Sequence, residues 1–311
     1  MNVIFGTGPL GKAVMKALLK RGKSVRMVNR SGQADVPEGV EVKAGDANDL
    51  AFTRQVTAGA EAVFQCAQPP YNEWVEKFPP FQAAILEGAA ASGAKFIAAE
   101  NLYMYGEVNG PIHEGLPYAA KTRKGKVRGE MSMALLEAHR SGKVRVAMAR
   151  GADFYGPGVR ESSLGERALG AAVEGGKASL VGALDLPHTY TYIQDFGEVM
   201  AVLAEREDAL GQAWHVPNPP TLTQRELIKM FFAEIGLPAR MSGMGRVMMT
   251  IGGLFISGAR ESVEMMYEFE KPFVVDSSKF IRAFGDISTP HGAAIHATAV
   301  WYKEWAAKRA K

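Results

Sequence analysis

The sequence predicts an α/β protein built on a doubly wound parallel sheet, with a smaller, mostly helical substrate lobe on the C-terminal side. Short apolar runs of strand length alternate with amphipathic helical patterns from residue 1 to about residue 150. The first run, Val3-Ile4-Phe5, leads through the glycine-rich turn Gly6-x-Gly8-x-x-Gly11 into the first helical pattern. Strands and helices that alternate in this way form a parallel sheet with helices on both faces.

The glycine motif predicts a Rossmann-type dinucleotide site. In a strand–turn–helix unit, Gly6 permits the tight turn, Gly8 lets the backbone approach a pyrophosphate, and Gly11 lets the helix pack closely on the strand. The first amides of the helix favour a phosphate, because the helix dipole places partial positive charge there. An ordinary glycine-rich turn is the alternative. The predicted phosphate-binding residues are Gly6, Thr7, Gly8, Pro9, Leu10 and Gly11.

The end of the second predicted strand indicates which dinucleotide binds. Residues 24–28 form this strand, and Asn29, Arg30 and Ser31 follow it. An NAD site normally has an acidic residue here that accepts the ribose hydroxyls. The planar guanidinium of Arg30 instead suits a 2′-phosphate. The sequence therefore predicts NADP rather than NAD. In the alternative interpretation, Arg30 stacks on adenine or points into solvent.

The ends of the third and fourth strands complete the predicted cofactor site. Asp46 and Ala47 follow the third strand, at residues 40–44, and Asp46 is placed to accept from the adenine amino group. Asp46 could instead cap the helix that begins near Asp49. Ala67 and Gln68 end the fourth strand, where this fold brings the backbone against the cofactor.

Strands and helices continue to alternate up to about residue 155, and beyond it the regular alternation stops. We predict helices over about 80–92 and 122–139, strands at 95–99, 144–149, 178–181, 185–193 and 212–216, and a helix from Asp195. Thr223-Gln-Arg-Glu226 forms a capping box at the start of a further helix. The predicted cofactor domain comprises residues 1–155 and about 186–217, and the substrate lobe comprises about 156–185 and 218–311.

Several segments together resemble the extended short-chain dehydrogenase/reductase superfamily, in its NAD(P)-dependent epimerase/dehydratase group. These segments are the glycine loop, Tyr103-Met-Tyr105-Gly106, Lys126-x-x-x-Glu130, Asp153-Phe-Tyr155-Gly-Pro-Gly158, Tyr192-Ile-Gln-Asp195-Phe196 and Asp276-Ser-Ser-Lys279 with the residues after it. The resemblance covers nearly the whole chain. It implies that the cofactor contacts Lys126 and Phe154.

The catalytic segments depart from the family pattern, as in the members called atypical. The family pairs a tyrosine acid/base with a lysine four residues later that holds the ribose. Lys126 matches the lysine, but Thr122 stands at the tyrosine position and Asn101 at the catalytic serine position. A threonine hydroxyl has no useful acidity near neutral pH, so Tyr103 is the first candidate proton donor. In the structural alternatives, Tyr103 only packs in the wall of the site, and Lys126 is solvated and pairs with Glu130.

Residues beyond the sixth strand are candidates for substrate binding. They are Tyr155, Arg160, His188 and Tyr190. Tyr155 is the second candidate proton donor, and Arg160 could bind an anionic group or lie on the surface. His188 could polarise a substrate, although a structural role, in which it satisfies a local carbonyl, is favoured.

Composition excludes several classes of function. The net charge of +3 is too small, and the basic residues are too scattered, to indicate a nucleic-acid partner. Six histidines and one cysteine give no metal-ligand cluster. No secretory signal or bilayer-length apolar stretch is present, so the sequence predicts a cytoplasmic enzyme with a small-molecule substrate and no membrane partner. The methionines between residues 230 and 266 predict core packing, with a substrate lid or a homodimer interface as alternatives.

The leading hypothesis is an NADP-dependent oxidoreductase that acts on a carbonyl or alcohol of a small, largely apolar molecule. A catalytically silent NADP(H)-sensing regulator is one alternative, because the tyrosine and serine of the family are replaced. A sugar-nucleotide epimerase or dehydratase is the other.

Overall fold

A computed structural model describes residues 1–252, 254 and 257–309 of the chain. In chain order the strands are β1 (Asn2–Phe5), β2 (Val25–Asn29), β3 (Glu41–Ala44), β4 (Ala62–Gln65), β5 (Lys95–Glu100), β6 (Val146–Arg150), β7 (Asp153–Tyr155), β8 (Ala178–Val181), β9 (Pro187–His188), β10 (Tyr190–Tyr192), β11 (Ala213–His215), β12 (Leu222–Thr223) and β13 (Met241–Met244). The helices are α1 (Pro9–Lys20), α2 (Leu50–Thr57), α3 (Trp74–Ser92), α4 (Arg123–Arg140), α5 (Ala171–Val173), α6 (Ile193–Glu205), α7 (Gln224–Ile235), α8 (Arg246–Gly252), α9 (Ser257–Ser262), α10 (Ser278–Phe284) and α11 (His291–Arg309).

The chain divides into two compact units, each built from several segments. The first unit comprises Met1–Gly106, Pro117–Gly151 and Gln194–Val216. The second unit comprises Glu107–Leu116, Ala152–Ile193 and Pro217–Lys311.

A seven-stranded parallel sheet forms the centre of the first unit. Its strand order is β11-β6-β5-β4-β1-β2-β3, and each neighbouring pair runs parallel. The predicted doubly wound α/β fold is therefore confirmed. The chain moves from β1 to one edge of the sheet through β2 and β3, and then returns to place β4 on the other side of β1. Ligands of such sheets bind at this switch point, outside the carboxyl ends of the strands.

The core of the first unit explains why these segments form strands and helices. Val3, Phe5, Val63 and Phe96 are fully buried on the sheet and pack against apolar residues of the helices. Removing such side chains from water is the main stabilising contribution to a fold of this size.

Helix α3 begins earlier than the sequence predicts. We predicted a start near Pro80, but the helix begins at Trp74 and contains Pro79 and Pro80. Each proline removes a hydrogen bond from the helix interior. Trp74 and Phe78 are buried in the preceding turn, and their burial offsets that cost.

The second unit contains short strand pairs and helices. Strands β7 and β10 pair in parallel, as do β8 and β13, whereas β9 and β12 are antiparallel. The single strand predicted over 185–193 is interrupted at Thr189, so it forms β9 and β10 instead. The predicted capping box at Thr223 and Glu226 is present at the start of α7. None of the described helices is long and apolar enough to cross a membrane.

Candidate functional site

The glycine loop lies at the switch point, between the ends of β1 and β4. Gly6 has φ +116°, a backbone conformation that is strained in residues with a side chain. A Cβ there would also lie 2.9 Å from the backbone nitrogen of Ala67. A Cβ on Gly11 would lie only 2.0 Å from the carbonyl oxygen of Gly6. Packing within the protein therefore requires both glycines, as the sequence predicts.

Gly8 has a different environment from the other two glycines. It is the N-cap of α1 with extended backbone (φ −74°, ψ −172°), and a Cβ there would meet no atom of the described residues within 4 Å. Protein packing therefore does not require a glycine at this position. No side chain caps the helix, and its first turn contains no acidic residue. Open backbone and uncapped amides are what a pyrophosphate needs, so these residues fit a dinucleotide.

Asn29 connects the glycine loop to the loop after β2. Its amide nitrogen donates to Thr7 Oγ1 at 2.9 Å and to the carbonyl oxygen of Gln33 at 2.8 Å. Its carbonyl oxygen accepts from the backbone nitrogen of Gly32 at 2.6 Å. The Asn29 side chain thus holds both loops in position.

The polar and charged side chains that follow β2 and β3 are exposed to solvent. Arg30, Ser31 and Asp46 are all exposed. Hydrogen bonds from the backbone and side chain of Asn48 lower the pKa of the Asp46 carboxyl, and the positive charge of Arg30 adds a smaller effect. The alternative in which Asp46 caps α2 is wrong, because the side chain of Asp49 accepts from Ala51 and Phe52 instead.

Ala67 and Gln68 follow β4 beside the glycine loop. The backbone of Ala67 lies against Gly6, as the Cβ test at Gly6 indicates. Gln68 is exposed, whereas Ala47 is buried after β3.

The first turn of α4 carries the two residues that stand in the family's catalytic positions. Thr122 is the N-cap of the helix, and its hydroxyl accepts from the backbone nitrogen of Gly125 at 3.2 Å. Lys126 is exposed and makes no hydrogen bond or ion pair with any residue that the structure describes, so the predicted alternative pairing with Glu130 is absent. Thr122 therefore stabilises the helix, and Lys126 is free to contact a ligand.

Replacing Thr122 tests its role as a helix cap. Thr122→Ala should lower the free energy of unfolding by about 1 kcal/mol, whereas Thr122→Asn should retain it, because asparagine caps helices as well as threonine. Chemical denaturation of both variants measures the difference. Equal stability of the alanine and asparagine variants would contradict a capping role.

Asn101 and Tyr103 lie together after the carboxyl end of β5. Asn101 Oδ1 accepts from the backbone nitrogen of Tyr103 at 3.3 Å, and both side chains are half-buried. The Tyr103 hydroxyl lies 3.5 Å from the hydroxyl of Tyr71. The structure therefore brings the predicted amide and phenol to the same strand end.

A buried charged network lies behind this strand end, and sequence reasoning missed it. Glu100 and Arg150 face each other in the register of β5 and β6, and Arg150 Nε donates to Glu100 Oε2 at 2.9 Å. Arg150 also donates to Ser132 Oγ at 2.7 Å and to the hydroxyls of Tyr105 and Tyr118. Burial alone would lower the pKa of Arg150, but interactions with Glu100, Tyr105 and Tyr118 together outweigh it and raise that pKa. The sequence signal that could have revealed this ion pair is that Glu100 and Arg150 each end an apolar strand, and the two strands are neighbours in the sheet.

The second unit contains the predicted His188, at the end of β9. Its Nε2 lies 2.9 Å from Asp153 Oδ2, and its Nδ1 lies 3.2 Å from the carbonyl oxygen of Glu268. The imidazole stacks between Phe269 and Phe273, with ring centroids 4.7 Å and 4.9 Å away. Both ring nitrogens therefore have protein partners.

The other predicted substrate residues have protein contacts of their own. Tyr190 is buried, and its hydroxyl donates to Gln224 Oε1 at 3.0 Å. Tyr155 is also buried, whereas the neighbouring Phe154 is half-buried. Arg160 is exposed and forms an ion pair with Glu166.

Glu268 makes the second unit sensitive to pH. Burial raises the pKa of its carboxyl well above its usual range, and the negative charge of Asp153 raises it further. The folded state therefore binds this proton more tightly than the unfolded chain. Stability falls as pH rises from the unfolded pKa, about 4.3, through the folded one.

Glu268→Gln should remove this pH dependence. Relative to wild type, the variant should become progressively more stable as pH rises above the unfolded-state pKa of about 4.3. Guanidinium unfolding at several pH values measures the effect, with the exposed Glu304→Gln as control. A stability difference from wild type that stays constant with pH would contradict the prediction.

Solved structures of similar fold include several sugar-nucleotide enzymes. An epimerase from Methanothermobacter thermautotrophicus is 17% identical at a TM-score of 0.82, with 100% of this chain and 94% of that chain covered. The UDP-glucuronic acid 4-epimerase of Bacillus cereus, in complex with UDP-glucuronic acid and NAD, is 16% identical at 0.78, covering 98% and 100%. The NAD-bound dTDP-glucose 4,6-dehydratase of Streptomyces venezuelae is 16% identical at 0.78, covering 98% and 97%. At these identities the likeness shows the fold.

The sequence comparisons assign the family. A comparison with curated proteins found no match. The sequence profile of the NAD dependent epimerase/dehydratase family matches residues 3–216, which include the glycine loop, Asn101, Tyr103 and Lys126. This chain therefore belongs to the NAD-dependent epimerase/dehydratase family.

Proposed function

We propose that this protein is a nicotinamide-dinucleotide-dependent enzyme that acts on a hydroxyl-bearing carbon of a nucleotide-linked sugar. The observation that carries the proposal is Gly8, whose open, uncapped position at the switch point fits a pyrophosphate. When bound, a nicotinamide dinucleotide supplies a hydride acceptor or donor.

The residues of the first unit have distinct roles in this proposal. Lys126, exposed and without a partner among the described residues, binds the nicotinamide ribose. Asn101 orients the substrate oxygen through an N–H group of its amide. Tyr103, whose hydroxyl is at the same strand end, exchanges a proton with that oxygen.

The substrate class rests on proteins of similar fold. The Bacillus cereus epimerase was solved with a nucleotide sugar, and the Streptomyces venezuelae enzyme is named for one. These similarities and the family favour a nucleotide sugar over the small, largely apolar carbonyl compound of the leading sequence hypothesis. The roles of Tyr155 and Arg160 in binding such a substrate stay proposals.

The choice of dinucleotide depends on Arg30. The Bacillus cereus and Streptomyces venezuelae structures contain NAD, but in this chain the exposed Arg30 and Ser31 follow β2 without an acidic residue. We therefore propose a 2′-phosphate contact. Arg30→Ala should weaken NADPH binding at least about tenfold and leave NADH binding nearly unchanged.

A fluorescence titration of both reduced dinucleotides measures this preference. Arg54→Ala, which removes an exposed arginine from α2, is the matched control and should leave both affinities unchanged. Wild-type binding of NADH equal to or tighter than that of NADPH would contradict the phosphate contact and make NAD the cofactor.

A regulator without chemistry is the second candidate function. The observation that favours it is Thr122, since its hydroxyl caps α4 where the family places its catalytic tyrosine. A regulator should bind the dinucleotide and change its affinity for a protein partner, yet leave every nucleotide sugar unconverted. Conversion of any nucleotide sugar, lost in Tyr103→Phe, would exclude this function.

A further inference from the structure

We propose that Tyr71 and Lys124 join Tyr103 in a proton-transfer group that replaces the tyrosine missing at position 122. The inference rests on the function proposed above, because it assigns the proton step of the same site. Tyr71 and Lys124 are not among the residues that the sequence predicted for the site. All three residues belong to the first unit.

The two phenols are neighbours although they lie far apart in the sequence. Tyr71 begins the short 3-10 turn Tyr71–Glu73, between β4 and α3. Its hydroxyl oxygen lies 3.5 Å from that of Tyr103. This is a long contact, but catalytic hydrogen bonds in ligand-free proteins often tighten only when the substrate binds.

Trp74 fixes the positions of both phenol rings. Its ring lies edge-on to Tyr71 at a centroid distance of 4.9 Å, and at 6.1 Å from Tyr103. Trp74 is itself buried, and its Nε1 donates to the carbonyl oxygen of Pro69 at 3.1 Å. Because the tryptophan is locked, the two tyrosines are held in a defined arrangement.

Lys124 places positive charge directly against Tyr71, the hydrogen-bonding neighbour of Tyr103. Its side chain is 1% exposed, and its Nζ lies 4.6 Å from the centroid of the Tyr71 ring. A cation over an aromatic face is attracted to the ring. The same positive charge stabilises negative charge that develops on Tyr103, while Tyr71 stays protonated and donates to it.

Arg128, one helical turn further along α4, adds to the same effect. Its side chain is 2% exposed and packs over Phe78, with its guanidinium carbon 4.7 Å from the ring centroid. Burial and the positive charge of Arg150 lower the pKa of Arg128, and attraction to Glu100 and, less strongly, to Tyr103 opposes them. That attraction is mutual, so Arg128 stabilises the ionised form of Tyr103. The charged groups described at the phenols include Lys124 and Arg128 on α4, and Glu100 on β5 and Arg150 on β6 act through Arg128.

The chemistry follows the family's scheme with different residues. In the family, a lysine cation lowers the pKa of the catalytic tyrosine. Thr122 cannot replace that tyrosine, because a threonine hydroxyl has no useful acidity near neutral pH. Here Tyr103 is the catalytic residue, whereas Tyr71 and Lys124 are positioning residues that act through it. During oxidation, the substrate carbinol loses its C–H hydride to the oxidised nicotinamide dinucleotide and its O–H proton to the Tyr103 phenolate. Tyr71 donates a hydrogen bond that stabilises that phenolate.

Carbon-13 NMR of the full chain, labelled at tyrosine Cζ, tests the proposal without a substrate. The Tyr103 signal is the one that Tyr103→Phe removes. In the wild type, Tyr103 should titrate at least about one pH unit below the ordinary tyrosine value of about 10. Tyr71→Phe and Lys124→Met should each raise its pKa by about one pH unit.

Matched variants separate the charge from other effects. Lys124→Arg should keep the low pKa of Tyr103, and so should Lys121→Met, which removes an exposed lysine just before α4. If Lys124→Met fails to fold, Tyr71→Phe alone decides. An ordinary pKa of Tyr103 in the wild type, or an unchanged pKa in Tyr71→Phe, would overturn the inference.

Dinucleotide titrations of the same samples distinguish this inference from the proposed function. Tight NAD(P)H binding combined with an ordinary Tyr103 pKa would overturn the proton-transfer group alone. Absence of NAD(P)H binding in the wild type would overturn the proposed function itself.

Discussion

Gly8→Ser should weaken dinucleotide binding at least about tenfold, or 1.4 kcal/mol, without lowering the stability of the protein. Serine tolerates the extended backbone of Gly8 and is a better helix N-cap than glycine. A Cβ there meets no atom within 4 Å in the part of the chain that the structure describes, so the folded state has room for it. The new side chain would instead occupy the space through which the pyrophosphate approaches.

Gly11→Ala is the matched control, because it should lower the stability of the protein, which Gly8→Ser should leave unchanged. Its Cβ would lie 2.0 Å from the carbonyl oxygen of Gly6. The start of α1 must then move away from β1, at a cost of at least about 2 kcal/mol. Chemical denaturation and a dinucleotide titration of both variants measure the two effects. Unchanged binding in Gly8→Ser would show that the dinucleotide does not use this loop.

Glu100→Gln should destabilise the first unit by about 3–5 kcal/mol. Glu100 Oε2 accepts from Arg150 Nε at 2.9 Å, and Glu100 Oε1 lies 3.9 Å from an Arg128 nitrogen. Both arginines are buried. Glutamine retains the size of the side chain but leaves two buried cations without their shared carboxylate.

An exposed carboxylate of the same type provides the control. Glu137 pairs with Arg140 three residues later on α4, and both side chains are largely exposed. Glu137→Gln should leave the free energy of unfolding nearly unchanged, because water screens an exposed pair. Guanidinium unfolding of both variants compares them. Equal stabilities would mean that the buried network contributes nothing to the fold.

The central strands of the sheet could be predicted because they are short apolar runs with a turn signal after them. Val3-Ile4-Phe5 followed by Gly6 is one case, since a fully buried strand and a tight turn leave direct marks in the sequence. The start of α3 could not be predicted in this way. Pro79 and Pro80 indicate a helix boundary, and only the burial of Trp74 and Phe78 in the folded chain offsets their cost.

The candidate site was predicted in part, for a similar physical reason. Gly6, Gly8 and Gly11 could be predicted because the local backbone geometry of the turn requires glycines at this spacing, which the sequence shows directly. Lys124 and Arg128 lie on a helix rich in charged residues, where solvent exposure is the usual expectation. Their burial depends on Tyr71, Phe78 and Glu100 from other segments, and helical periodicity contains no information about such contacts.

The central claim is that a nicotinamide dinucleotide binds at the amino end of α1, and backbone NMR tests it most directly. In a titration of the isotope-labelled protein with NAD⁺ or NADP⁺, the amide signals of Gly8, Leu10 and Gly11 should shift and saturate at one equivalent of the dinucleotide per chain. Amides at the opposite end of α1, such as Leu19 and Lys20, should change little. Signals of the glycine loop that stay unchanged at saturating concentrations of both dinucleotides would contradict the account.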